Sequence, residues 1–154
     1  MLSNRAPQHH PDDRNGIAFE LSLTARRWRA CVDARLAPLG LTQAKWIPLH
    51  YLARAGGSLP QRKLLERTGI EGPSLVRILD ELERLGFIER RGGDADRRTK
   101  TVHLTRKAEP VIARIAEQAD GVREEILDGI SDRDLAAFRR ILGRIAHNIG
   151  RVGP

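Results

Sequence analysis

The sequence has a single cysteine, Cys31, among 154 residues. No disulfide can close within the chain, and a reducing compartment, the cytoplasm, is the expectation. Aromatic residues make up only 4%, too few for the stacking platforms that hold single-stranded nucleic acid. No apolar run approaches the roughly 20 residues of a membrane-spanning helix, and the N-terminus lacks the apolar core of a secretory signal. Catalytic signatures are missing as well. There is no HExxH, no Gly-Lys-Ser/Thr phosphate loop and no nucleophile–base pair, and His50 and His103 fall on different predicted elements without an acidic orienting partner. Neither an enzyme nor a cofactor is expected.

What the chain does have is charge. Its 27 basic and 20 acidic residues give a formal net charge of +7 beside 40% hydrophobic residues. That composition fits a globular protein with a polyanionic partner. With no membrane-spanning run, nucleic acid is the better candidate for that partner.

Residues 1–16 are polar, carry two prolines and show no apolar period, so a flexible tail is expected. His9 and His10 lie in it without further ligands at metal spacing. Ile17, Leu21, Ala25, Trp28, Val32 and Leu36 then recur at three- and four-residue steps, predicting a helix from Ile17 to Leu36. Thr42 is a good cap for a second helix over 43–54, with Pro48 inside it predicting a bend or a late start. Ser58-Leu59-Pro60-Gln61 has capping-box spacing and predicts a short third helix from Leu59 to Thr68. After the turn Gly69–Gly72, Pro73 opens a fourth helix ending at Leu85.

The period then changes. Phe87–Arg91 and Thr99–Leu104 read as strands joined by a loop over 92–98. Thr105 caps a fifth helix over 106–127, and Ser131 with Asp134 caps a sixth that runs to about Ile149. The expected fold is mostly α with a small β-hairpin wing. A winged helix-turn-helix unit (41–105) is flanked by dimerisation helices (17–40 and 106–150).

Two short helices joined by a glycine-bearing turn and followed by a basic hairpin suit the major groove of double-stranded DNA. On the fourth helix the apolar stripe must face inward, which leaves Ser74, Arg77, Glu81 and Arg84 outside. Its acids, Asp80, Glu81 and Glu83, lie in the second half, so the first turns should enter the groove, with Pro73, Ser74 and Arg77 nearest the bases. The plainer reading of Arg77 is a solvent-facing partner of Asp80 or Glu81. Residues 87–107 hold seven basic groups and three acids, and an arginine-bearing hairpin tip is shaped for phosphates or a narrow minor groove. Helices 1, 5 and 6 carry more apolar stripe than one winged unit needs. A two-fold dimer would cover it and set two reading helices ~34–36 Å apart for a palindromic site, whereas an intrachain bundle is the alternative.

Three stretches resemble the MarR family of transcription regulators, within it the SlyA group: RLAPLGLTQAKWIPLH (35–50), GIEGPSLVRILDEL (69–82) and DRRTKTVHL (96–104). The resemblance, over about residues 20–149, implies a homodimer acting at palindromic operators and responding to small aromatic carboxylates. It implies DNA contacts at Ser74 and Arg77 of the reading helix, and at Asp96, Arg97 and Arg98 of the wing beside Lys100, with Arg98 as the minor-groove arginine. It also implies a ligand group of Arg26, Arg29, Trp46 and His50. Those side chains fit such a ligand chemically. Arginine pairs with carboxylate, Trp46 offers a flat face and His50 a donor, although Trp46 could equally be core. Pro48 departs from the family pattern at this place. Two rivals remain: a redox sensor of the same fold using Cys31, with Arg27 and Arg35 one turn to either side, and a nucleoid-type architectural protein without a ligand.

Overall fold

The computed structural model describes Arg14, residues 16–93 and residues 96–153, the side chains of residues 43, 44, 93 and 96–99 excepted. The predicted tail, with His9 and His10, lies outside the described residues apart from Arg14 and Gly16, as do Asp94 and Ala95 of the predicted loop.

In chain order the elements are α1 (Ile17–Leu36), a 3-10 turn (Ala37–Leu39), α2 (Gln43–Arg54), β1 (Ser58–Pro60), α3 (Gln61–Thr68), α4 (Gly72–Arg84), β2 (Ile88–Gly93), β3 (Asp96–Leu104), a second 3-10 turn (Arg106–Ala108), α5 (Glu109–Leu127) and α6 (Asp132–Val152). The chain divides into two compact units, residues 1–120 and 121–154. The fold is the expected one: mostly helical, with a three-stranded antiparallel sheet in the order β1-β3-β2.

In the first unit α2 packs against α3, α4 and β3. Leu49 and Leu52 of α2, Leu64 of α3, Leu79 and Leu82 of α4 and Val102 of β3 are fully buried. Each such side chain contributes about 1.5–3 kcal/mol by leaving water. α2 starts at Gln43 and continues through a buried Pro48, so the late start that proline predicted does not occur. Thr68 ties the turn between α3 and α4. Its hydroxyl donates to the Leu65 carbonyl (3.3 Å) and accepts from the Ile70 N–H (3.4 Å), and Gly69 closes α3 at φ 65°, a conformation open to glycine at little cost.

Two predicted helix starts are corrected. Ser58–Pro60 is a strand, paired Ser58↔His103, Leu59↔Val102 and Pro60↔Thr101, and α3 begins only at Gln61 with no side-chain cap. Burial of Leu59 beside Val102 outweighs the capping pattern, and Pro60, which has no N–H to donate, is tolerated because β1 is an edge strand. At Thr105 the hydroxyl does not cap a helix. It donates to the Gly86 carbonyl (2.6 Å), a 3-10 turn follows, and α5 begins at Glu109. The strands are also longer than predicted, β2 reaching Gly93 and β3 beginning at Asp96 with a register shift between Gly92 and Gly93.

In the second unit Ser131 caps α6 as expected, its hydroxyl oxygen accepting from the Asp134 N–H at 3.2 Å. No residue of α6 is buried within the chain, and Phe138, Ile141, Ile149 and Val152 are exposed.

Candidate nucleic-acid interface

The alternation of β2 decides how the hairpin meets α4. Ile88 and Arg90 lie two apart and so point to one side of the sheet, the side of their partners Leu104 and Val102. Ile88 and Val102 are buried. Arg90 therefore enters the covered face, where its charge needs partners. α4 supplies them. The Arg90 N–H donates to Glu83 Oε1 (2.9 Å), its Nε and Nη2 donate to Glu83 Oε2 (3.1 and 2.6 Å), and Nη2 also reaches Asp80 Oδ1 (2.5 Å). Only 14% of the Arg90 side chain remains exposed. These bonds hold the Glu83 carboxyl below the ordinary carboxylate range and raise the Arg90 guanidinium, the Arg90–Glu83 hydrogen bond being the main cause of each.

Glu81 is likewise occupied. Lys45 of α2 sits 2.8 Å from it, and that hydrogen bond is the main cause of its lowered pKa. The acids of the second half of α4 thus fasten the helix to α2 and to the hairpin. The sequence count of seven basic groups in the hairpin region overstates its free charge, since Arg90 is taken by α4 and Arg91 pairs with Glu89 at 3.0 Å.

That arrangement bears on Arg77. The partners available to it under the plainer reading, Asp80 and Glu81, bind Arg90 and Lys45 instead, and among the described residues Arg77 has no ion-pair partner. Pro73, Ser74 and Arg77 are all exposed or half-buried on the outer side of α4. Its first turn carries no side-chain cap, so the free N–H groups there present partial positive charge.

Between α3, the start of α4 and the hairpin runs a groove of about 430 Å³, lined by Gln61, Arg62, Gly72, Val76, Arg90 and Lys100 among others. Lys100 lies on the same face of β3 as Val102, opposite Gly92, and so points to the groove. Asp96, Arg97 and Arg98 belong to β3 by backbone, while their side chains lie outside the described residues. Sequence reasoning passed over Arg62 and Val76. Their signal, an exposed cation on α3 and an exposed aliphatic on α4, shows only once the inward faces are known.

A second cavity, of about 240 Å³, is lined by Trp28, Arg29, Trp46, His50, Tyr51 and Arg67 among others. It gathers three of the four predicted ligand residues. Arg26 does not line it and is exposed, because two residues along α1 set it about 160° around the helix from Trp28, which does line it. Trp46 is buried, its ring edge-on to His50 at 6.2 Å between centroids and 74° between planes. Its indole N–H is buried and finds no acceptor among the described residues. Burial first, then the Arg54 charge, pushes the His50 imidazole below its ordinary pKa, with Asp120 opposing. Neutral His50 can both donate and accept. Trp28, Tyr51 and Arg67 were not anticipated; Trp28 shares a face of α1 with Val32, four residues on, a spacing that could have identified it. Cys31 is a free thiol and exposed.

Comparison with known proteins gives a consistent relationship. The family model described as the MarR family matches residues 39–99. The chain is 42% identical to the crystal structure of transcriptional regulator PA3341, over 88% of this chain and 98% of that one, with a TM-score of 0.81. It is 26% identical to a MarR-family transcriptional regulator from Silicibacter pomeroyi, covering 86% and 89% of the two chains with a TM-score of 0.76. It shares its fold with a MarR-family regulator from Listeria monocytogenes complexed with a 26mer DNA, at 19% identity, 86% and 87% coverage and a TM-score of 0.75.

Proposed function

The chain belongs to the MarR family, and on that premise we propose that it is a transcription regulator that reads palindromic double-stranded DNA as a homodimer, its affinity set by a small aromatic carboxylate. The observation that carries the DNA reading is the unpaired Arg77 on the outer side of α4, while every acid in the second half of that helix is engaged elsewhere. An arginine fork there suits guanine O6 and N7. Pro73 and Ser74 would flank it, with Arg97, Arg98 and Lys100 of the hairpin reaching the backbone and minor groove and Asp96 orienting a neighbouring arginine. A DNA partner of this kind puts the protein's work in the cytoplasm, at the nucleoid.

Two exposed apolar surfaces support the homodimer. α1 exposes Ile17, Phe19 and Leu21 near its start, and α6 exposes Phe138, Ile141 and Ile149 along its length. In this reading residues 17–40 and 106–150 pair across a two-fold axis and 41–105 form the reading unit.

The cavity at Arg29, Trp46 and His50 is the ligand site in this reading, with Arg67 as a further cation. A carboxylate would pair with the arginines and satisfy the orphaned Trp46 N–H, while its ring lies on the aromatic wall. Because the lining comes from α1, α2, α3 and α5, such a ligand would favour one arrangement of these helices and thereby alter DNA affinity.

Enrichment of duplexes from a random-sequence library by the full chain, with and without salicylate, tests the proposal. A two-fold symmetric sequence whose binding weakens or strengthens with salicylate is expected; enrichment without any sequence preference would favour an architectural protein instead. The exposed Cys31 favours one second reading, a thiol sensor. Cys31→Ser should leave the peroxide response of DNA binding unchanged if the ligand reading holds.

A further inference from the structure

Val76 stands on the reading helix with 40% of its surface exposed, next to Arg77. It shares the hairpin-facing flank of α4 with Asp80 and Glu83, four and seven residues on, and it lines the groove of about 430 Å³ with Leu65 and Leu75. Arg62 and Lys100, both exposed, edge that groove. An aliphatic patch between two cations gains nothing from phosphate alone. In the major groove the apolar feature that a base edge offers is the C5 methyl group of a pyrimidine. Valine is also stiff at χ1 in a helix, so it would meet that methyl with little loss of side-chain freedom.

We propose that Val76 is a specificity-determining residue that reads the C5 methyl of one pyrimidine per half-site, the strand's phosphates lying along Arg62 and Lys100. This rests on the DNA-reading function proposed above. Thymine and 5-methylcytosine carry the same methyl in the same place, so the chemistry admits either source.

The test takes the duplex that the full chain enriches from a random library. Each thymine is replaced singly by uracil, each cytosine singly by 5-methylcytosine, and affinity is measured by fluorescence anisotropy for the wild type and Val76→Ala. One thymine per half-site should lose about fourfold in wild-type affinity on losing its methyl, the worth of one buried methyl group, and Val76→Ala should show no loss there. A gain on cytosine methylation that Val76→Ala abolishes assigns the methyl to 5-methylcytosine instead. The proposal is overturned if wild-type binding ignores every methyl, a result independent of how the variant folds, or if Val76→Ala keeps the wild-type profile. Failure to enrich any duplex would remove the DNA-reading function itself, a separate outcome.

Discussion

Arg90 of β2 and Glu83 of α4 are joined by three hydrogen bonds of 2.9, 3.1 and 2.6 Å, one of them from the Arg90 backbone N–H. The hairpin is therefore fixed to α4 both by charge and by main chain, and the angle between the two follows from this contact.

Glu83→Gln should loosen that angle. Loss of charge on a partly exposed, multiply bonded carboxylate should cost about 1–2 kcal/mol of stability by chemical denaturation, and DNA affinity should fall although Glu83 need not touch DNA. Because the Glu83 carboxyl is held below its ordinary 4.5, its contribution is complete above that pH and is lost as pH falls through the lowered value. The variant should flatten that acid limb; an unchanged limb would place the stabilisation elsewhere.

His50 gives a second pH dependence. Its folded pKa lies below the ordinary 6.5, so as pH falls from 6.5 the unfolded chain takes up the proton first. Stability should be complete above 6.5 and decline below it, with a slope of at most about 1.4 kcal/mol per pH unit. His50→Gln should remove this decline. Arg54 and Asp120 are the charged groups acting on the ring, so removal of the Arg54 charge should shrink the effect and removal of the Asp120 charge should enlarge it.

Much of this fold was legible in the sequence. The starts and ends of α1 and α2 follow from apolar stripes and stop signals, and the Ser131 cap of α6 was visible in its spacing. β1 was not legible, since three residues are too few to show a period and Pro60 mimicked a helix start. Only the pairing of Leu59 with Val102, remote in sequence, distinguishes the two. The role of Arg90 was half legible. Its parity with Ile88 already puts it on the inner face, but the carboxylates that receive it lie on another element. Of the candidate ligand group, the i, i+4 spacing of Trp46 and His50 was readable, whereas Arg67 joins the cavity only through the packing of α3 against α2.

Arg98→Ala should lower DNA affinity and reduce the slope of log K against log salt by about 0.9, the value for one phosphate contact released. Titration at several salt concentrations reads this directly, and an unchanged slope would argue against a backbone contact for Arg98.

Phe138→Glu should split the proposed homodimer. A carboxylate in place of an apolar contact costs several kcal/mol when buried without a partner, so the dimer dissociation constant should rise at least about a hundredfold. Analytical ultracentrifugation would show it. A wild-type chain that sediments as a monomer at micromolar concentration would contradict the paired arrangement.

The most direct measurement is the ratio of affinities for the enriched duplex and a scrambled one, at fixed salt, for the wild type and Arg77→Ala. The account predicts that the variant loses about 1–3 kcal/mol on the enriched duplex and far less on the scrambled one, so that the ratio collapses. Equal losses on both duplexes would mean that Arg77 touches phosphate alone and that α4 does not read the bases through it.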